Sequence, residues 1–333
     1  MLTRITKYVI ALSLITLASV AHAQPKWNVA PRLPTGVDTH TLDATSYSYV
    51  YAKGSSIDDG ADTDDLDLRV YKPAGIAASQ PLPAVVWIGT GSFTNSSAAD
   101  GAGAQARAEF FTQCGMIHVL VRTRVNPDAP TEPDGAANGA VNQLGRSINA
   151  IIWDTYRALK FIQSNPDPDS WRVEPNWVFL GGGSSGGTAA LCAAIRHAND
   201  IQVPGVIVSS TAFGGDNTIL GLNYTDEVRT DLGFTEAGLS ASPPVCLFTR
   251  QDDDTLSTPP NDWQGDLQAV VEGLGGDNIT HVDAVGSGHI SLGEWGALSG
   301  VFTGASSLEE AIYDFVSARC TATARLSGTA QLD

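Results

Sequence analysis

Basic side chains and cysteines are scarce in this chain, and no long apolar run occurs beyond its first two dozen residues. Lys and Arg number 19 against 36 Asp and Glu, a formal net charge of −17 over 333 residues. A surface of that sign repels nucleic acid and anionic membranes, so nucleic acid is excluded as a partner and the charge is read as solubility. Only Cys114, Cys192, Cys246 and Cys320 carry thiols, with no CxxC and no Cys/His cluster, which argues against a zinc site. Cys114 precedes a strand pattern, Cys192 lies in a helix pattern and Cys246 in an apolar strand. Buried free thiols fit such places, and the pairing is left open. There is no internal repeat. No metal or cofactor is expected.

The one long apolar run is at the start. Arg4 and Lys7 precede Tyr8 to Val20, and Ala21-His22-Ala23 offers a small-x-small cleavage site before Gln24. This pattern predicts a secretory signal peptide over residues 1–23, and hence a secreted or periplasmic protein with no membrane span in the mature chain. Loss of Arg4 and Lys7 leaves 17 basic residues and takes the charge from −17 to −19. Residues 24–320 suffice for a single α/β domain with a well-buried core. The small, polar stretch 321–333 is expected to be a disordered tail.

Within the domain, Ala44 to Ala52 alternates in side-chain size and Leu66 to Tyr71 alternates in polarity, as half-exposed strands do. Between them, Gly54 to Asp65 is acidic and turn-rich. Its Asp58, Asp59, Asp62, Asp64 and Asp65 lack the spacing of a calcium loop and read as solvated. Short apolar runs at Ala84–Ile88, Ile117–Val121, Val178–Leu180, Val206–Val208, Val245–Phe248 and Val282–Val285 read as buried strands. Ile148, Ile151, Ile152, Leu159 and Ile162 recur at helical spacing. Gly187–His197 and Leu267–Leu274 read as helices. Ser307-x-x-Glu310 is a capping box opening a last helix to about Ala318. Strands alternating with helices predict a mostly parallel sheet covered on both faces. The stretch between Val208 and Val245 leaves room for a small cap or none. Asp128 to Arg146 lacks periodicity and reads as a surface loop.

The stretch 178–191, Val-Phe-Leu-Gly-Gly-Gly-Ser-Ser-Gly-Gly-Thr-Ala-Ala-Leu, carries the chemistry. A strand ends in glycines, serines follow, and a helix begins, which is the form of a nucleophile elbow. Two registers fit it, Gly182-x-Ser184-x-Gly186 and Gly183-x-Ser185-x-Gly187. A serine nucleophile needs a base, an acid that orients the base, and N–H groups for the oxyanion. Of six histidines, His22 falls in the signal peptide and His40 before the core. His118 sits in an apolar strand, His197 ends a helix and His281 begins a strand. His289, in the loop after the last strand, is where a base belongs. The acid should follow the strand before, where Asp252, Asp253 and Asp254 compete. Gly89-Thr90-Gly91-Ser92-Phe93 follows a buried strand and can supply oxyanion amides, together with the residue after the nucleophile.

Taken together these residues resemble the carboxylesterase branch of the α/β-hydrolase superfamily, which includes hormone-sensitive-lipase-like esterases and bacterial feruloyl- and acetylxylan-esterase-like enzymes. The resemblance runs from about Leu66 to His289. Leu66–Pro73 is similar to that branch's early strand, and Pro83–Phe93 to its strand and His-Gly-Gly-Gly loop. Thr123-Arg124-Val125-Asn126-Pro127 is similar to a Tyr-Arg-Leu-x-Pro segment, and Glu174–Leu180 to the run into the elbow. Gly89, Thr90 and Ser92 depart from the loop pattern, standing in place of its His and its first and third glycines. The pattern Gly-x-Ser-Ala-Gly-Gly implies Ser184 as nucleophile and Ser185 as amide donor. Pro243-Pro244 followed by Asp253-Asp254-Thr255-Leu256 resembles the family's Pro-Pro strand and Asp-x-x-Val, which implies Asp253 as the acid beside His289. Gly91, Ser92 and Ser185 are then the oxyanion donors. The implied activity is hydrolysis of short-chain carboxylic esters, including carbohydrate acetyl or feruloyl esters, through an acyl-enzyme. Small-molecule or polysaccharide esters are the expected substrates. The alternatives are a serine peptidase of the same fold and a non-catalytic binding protein that retains it.

Overall fold

The computed structural model describes residues 46–52, 66–90, 102–124, 143–209, 217–219, 222–224, 242–252, 279–287 and 311–320. Ten strands and four helices lie among them. In chain order these are β1 (Tyr47–Ala52), β2 (Leu66–Tyr71), β3 (Leu82–Ile88), α1 (Ala102–Gln113), β4 (Ile117–Val121), α2 (Gln143–Gln163), β5 (Val173–Gly183), α3 (Ser185–Arg196), β6 (Val206–Ser209), β7 (Asn217–Ile219), β8 (Leu222–Tyr224), β9 (Val245–Asp252), β10 (Ile279–Ser287) and α4 (311–320). Eight strands form one sheet in the order β1-β2-β4-β3-β5-β6-β9-β10, and β7 and β8 pair as a separate two-stranded hairpin. β1 and β2, and β2 and β4, run antiparallel. From β4 to β10 every neighbouring pair is parallel.

The central strands β3, β4 and β6 are buried throughout and read as near-unbroken apolar runs because both faces of the sheet are covered there. On β3, Ala84, Val86 and Ile88 point to one face and Val85 and Trp87 to the other, since successive side chains alternate. The first face packs against α2 through Ile151, Ile152, Leu159 and Ile162, and against α3 through Ala190, Leu191 and Ala194. The four α2 side chains are wholly buried, and each burial contributes about 1.5–3 kcal/mol. The second face packs against α1 through Ala104, Ala108, Phe110 and Phe111, and against α4 through Ile312, Phe315 and Val316.

Several boundaries differ from those read in the sequence. α2 begins at Gln143, so the end of the Asp128–Arg146 stretch is helix, not loop; Gln143, Leu144 and Arg146 are good helix formers that extend the periodic segment behind them. β5 runs eleven residues instead of three, reaching back to Val173, which pairs with Leu82, and forward through the glycines. Gly181 to Gly183 stay extended because they pair with Ile207, Val208 and Ser209 of β6. α1 was not singled out in the sequence, its Ala, Gly and Gln residues lacking an apolar stripe; neither was the β7–β8 hairpin. The Leu267–Leu274 helix and the Ser307–Glu310 capping box lie outside the described residues. All four cysteines are free and buried. Among the described residues no helix is long and apolar enough to cross a membrane.

Candidate active site

Ser184 sits between β5 and α3 with φ 51° and ψ −125°. A non-glycine residue held at positive φ costs on the order of 1–3 kcal/mol and persists only where its surroundings impose it. Here they do. The Ser184 N–H donates to the Ser209 carbonyl at the end of β6, 2.8 Å away, and its own carbonyl accepts from Thr188 N–H of α3 at 3.1 Å. The strand is thus fastened on one side of the serine and the helix on the other, and the tight corner between them takes up the strain.

The glycines two residues before and after Ser184 are there for lack of space. A Cβ on Gly182 would lie 2.6 Å from the Gly187 nitrogen and overlap the Gly186 carbonyl. A Cβ on Gly186 would overlap the carbonyl oxygen of Ile88, the last residue of β3. The chain therefore crosses itself at Gly182 and meets β3 at Gly186. The two serines of the motif are placed differently. Ser184 occupies the corner and is half-buried. Ser185, the first residue of α3, is 1 % exposed, and its hydroxyl points inward to Thr90. At this position its N–H is one of those at a helix start without an intrahelical acceptor, where negative charge is favoured.

Ser185 Oγ donates to the Thr90 carbonyl at 3.1 Å and lies 3.2 Å from Thr90 Oγ1. Thr90 is likewise 1 % exposed. It follows Gly89, whose N–H donates to Val121 of β4 at 3.2 Å. Gly91 and Ser92, the proposed amide donors that come next in the chain, lie outside the described residues. So do Asp253 and Asp254, which directly follow Asp252 at the end of β9, and His289, two positions past Ser287 at the end of β10. The parallel run brings the ends of these strands to one edge of the sheet: Ile88 pairs with Gly182, Gly183 with Ser209, and Asp252 with Ser287. Across the sheet, at about 4.8 Å per strand, β9 lies roughly 10 Å and β10 roughly 14 Å from β5, and β9 runs on to Asp252, past Phe248, which pairs with Ser209.

The remaining histidines of the described residues lie elsewhere. His118 is fully buried on β4, 5.0 Å from the Phe111 ring and 6.2 Å from that of Tyr71. Burial, reinforced by the nearby Arg107 cation, drives its pKa well below the ordinary 6.5. His197 caps α3 and stacks 4.2 Å from Tyr156, with Trp153 at its edge. His281 pairs with Leu247 within the sheet. At the end of β4 a buried ion pair pins the departing chain to α2. The Arg124 N–H donates to Asp154 Oδ2 at 2.8 Å and its guanidinium to Oδ1 at 2.7 Å, so truncating Asp154 would leave a buried cation and cost about 3–5 kcal/mol. Among the described residues no cluster of three or more His, Cys, Asp or Glu could hold a metal ion.

Sequence reasoning missed Thr90. The available signal was its departure from the glycine that the resemblance places there, facing a serine that departs from alanine.

No family model matches the chain. A curated relative, the gibberellin receptor GID1B of Arabidopsis thaliana, is 26% identical over 176 residues, 48% of this chain and 44% of the receptor. The chain thus matches less than half of that relative's length. Among solved structures, Thermogutta terrifontis esterase 2, phosphorylated by paraoxon, aligns with a TM-score of 0.51 at 17% identity, over 82% of this chain and 91% of that one. A bacterial heroin esterase aligns with a TM-score of 0.50 at 17% identity, over 88% and 85%. An esterase of the fungus Rhizomucor miehei aligns with a TM-score of 0.53 at 16% identity, over 87% and 85%. With the mixed sheet order and the elbow at the end of β5, these likenesses show the α/β-hydrolase fold.

Proposed function

We propose that this chain is a serine carboxylesterase, exported to the periplasm or beyond, that hydrolyses short-chain carboxylic esters through an acyl-enzyme. The observation that carries the reading is Ser184, held at φ 51° between two glycines with no room for a side chain, at the C-terminal end of a parallel strand. Strain of this kind is maintained where a side chain must be presented to a ligand.

In this mechanism His289 takes the proton from Ser184 Oγ as that oxygen attacks the ester carbonyl carbon. Asp253 accepts a hydrogen bond from the imidazole, fixing its tautomer and stabilising the imidazolium. The carbonyl oxygen becomes an oxyanion bound by the N–H groups of Gly91, Ser92 and Ser185. The C–O bond to the leaving alcohol breaks as His289 returns the proton to it. Water, deprotonated by His289, then attacks the acyl-enzyme, releasing the acid and restoring Ser184. No step calls for a metal or cofactor. The esterases with the same fold support the choice of ester over amide. Export favours an extracellular substrate such as an acetylated or feruloylated polysaccharide. In purified protein, Ser184→Ala should reduce p-nitrophenyl acetate turnover by about 10⁴-fold or more; turnover within tenfold of wild type would refute the assignment. A panel of short acyl esters, acetylated xylan and feruloylated sugars then resolves the substrate.

The relative named as a receptor favours a second reading, a binding protein that keeps the fold without turnover. Complete lack of labelling by a fluorophosphonate probe, with a folded protein, would favour that reading over the first.

A further inference from the structure

Ser184 has a planar peptide on each side, and each plane is fastened to a different element. The peptide before it is held through the Ser184 N–H, which donates to the Ser209 carbonyl of β6 at 2.8 Å. The peptide after it is held through the Ser184 carbonyl, which accepts from the Thr188 N–H of α3 at 3.1 Å. Between the two planes lie only the φ and ψ of Ser184. Its φ of 51° therefore persists as long as the start of α3 keeps its place beside the sheet. A helix start free to shift would let φ and ψ move to an unstrained pair.

Two contacts place the helix start against β3, which lies on the opposite side of β5 from β6. Gly186 comes so near the Ile88 carbonyl that a Cβ would overlap it. Such a contact resists approach but not departure. Departure is resisted by a bond, in which Ser185 Oγ donates to the Thr90 carbonyl at 3.1 Å. Ser185 has one hydroxyl proton, so Thr90 Oγ1 donates in turn to Ser185 Oγ across 3.2 Å. Both residues are 1 % exposed, so bulk water does not stand in for a lost partner. The chain is thus tied to β6 ahead of Ser184 Cα and to β3 behind it. The backbone bonds are open to any sequence at this corner. The hydroxyl tie is not, since the family pattern that this chain resembles has alanine and glycine at the two positions.

We infer that the Ser185 hydroxyl, assisted by that of Thr90, is a positioning group that holds Ser184 in its strained conformation and so presents the Ser184 Oγ for attack. The consequence for turnover rests on the esterase reading; the hold on the strained corner does not. Both hydroxyls act through the placement of the helix start and do not touch the reacting atoms.

The test is a stability cycle in the full-length protein, followed by urea unfolding. Ser184→Gly removes the cost of positive φ and should raise the urea midpoint of the wild type. In a Ser185→Ala background, where the corner has already relaxed, the same change should raise it by less than about half as much. A hydroxyl that merely packs would leave the two rises equal, and equal rises overturn the inference. So does the absence of any rise in the wild type, since there would be no strain to hold. Thr90→Val removes one of the two bonds and should shrink the rise by a smaller amount; it takes the place of Ser185→Ala if that variant does not fold. In turnover of p-nitrophenyl acetate, Ser185→Ala should lower kcat roughly tenfold or more, with KM changed by less than about threefold. Thr90→Val should lower kcat less, and the double variant should match Ser185→Ala, because both hydroxyls act through one tie. Full kcat in Ser185→Ala overturns the inference. Turnover that survives Ser184→Ala overturns the esterase reading instead and leaves the stability cycle standing, so the two failures are distinguishable.

Discussion

Among the described residues, two of the buried polar groupings against this sheet contrast. At the C-terminal end of β3 and β5, Thr90 and Ser185 bond to each other beneath a strained, half-buried Ser184. Under α1, by contrast, Arg107 and His118 lie among aromatic rings, with the guanidinium 5.2 Å from the Trp87 ring and the imidazole stacked on Phe111. Both groupings hold residue types that hydrolases use. Only the first stands where strand ends and a helix start meet and where backbone amides lack internal acceptors. The second is enclosed in the core, where burial pushes Arg107 down to about 9, and burial together with the neighbouring Arg107 cation pushes His118 well below 6.5. Place relative to the strand ends, more than residue type, separates a reactive group from a packed one.

The strongest way to break this contrast is at Ser184. Ser184→Ala should remove ester turnover by about 10⁴-fold or more while the melting temperature moves by only a few degrees, since a methyl keeps the same backbone strain. A large loss of stability would make Ser184 a structural residue after all. Next in size is Gly186→Ala, which forces the start of α3 away from the Ile88 carbonyl. It should cost about 2–4 kcal/mol in chemical denaturation and lower activity with it.

The enclosed end predicts a pH effect. His118 has a folded pKa depressed below its unfolded value of about 6.5. Between those two values the unfolded chain holds the extra proton, so the fold is favoured above pH 6.5 and weakens as pH falls below it, by at most about 1.4 kcal/mol per pH unit. The loss levels off once pH drops past the folded pKa. His118→Phe keeps the ring stack and should flatten stability between pH 6.5 and 5, as followed by urea unfolding; an unchanged slope would mean other groups set it. The smallest effect is Ser184→Gly. Relief of the positive φ should stabilise the fold by about 1 kcal/mol while turnover is lost, so that stability and activity move in opposite directions. No gain in stability would show that the corner is not strained.

Much of the fold was legible because its causes are local. The apolar run Ile117–Val121 and the alternating run Leu66–Tyr71 end where the strands end. The glycine pattern marks the elbow; Gly182 answers to a clash with Gly186 and Gly187 a few residues on, whereas Gly186 answers to Ile88 on β3. What was not legible depended on distant partners. α1 has no apolar stripe of its own, and its Phe110, Phe111 and Ala108 find their face only when β3 and β4 lie side by side. β5 runs past its apolar segment because β3 and β6 supply partners for Val173 and for the glycines.

The sequence by itself determined the alternation of strands and helices and the position of an elbow with two readable registers. It left the pairing of the four cysteines open, and the structure shows them buried and not joined in disulfides. The periods of polarity act over a few residues, as does the clash that requires Gly182, which is why they can be read along the chain. The resemblance already implies Ser184 rather than Ser185; only the tertiary structure shows how differently the two are placed, Ser184 at the strained corner and Ser185 turned inward to Thr90. That outcome depends on the distance between β3 and α3, set by core packing on both faces of the sheet, and no local pattern encodes it.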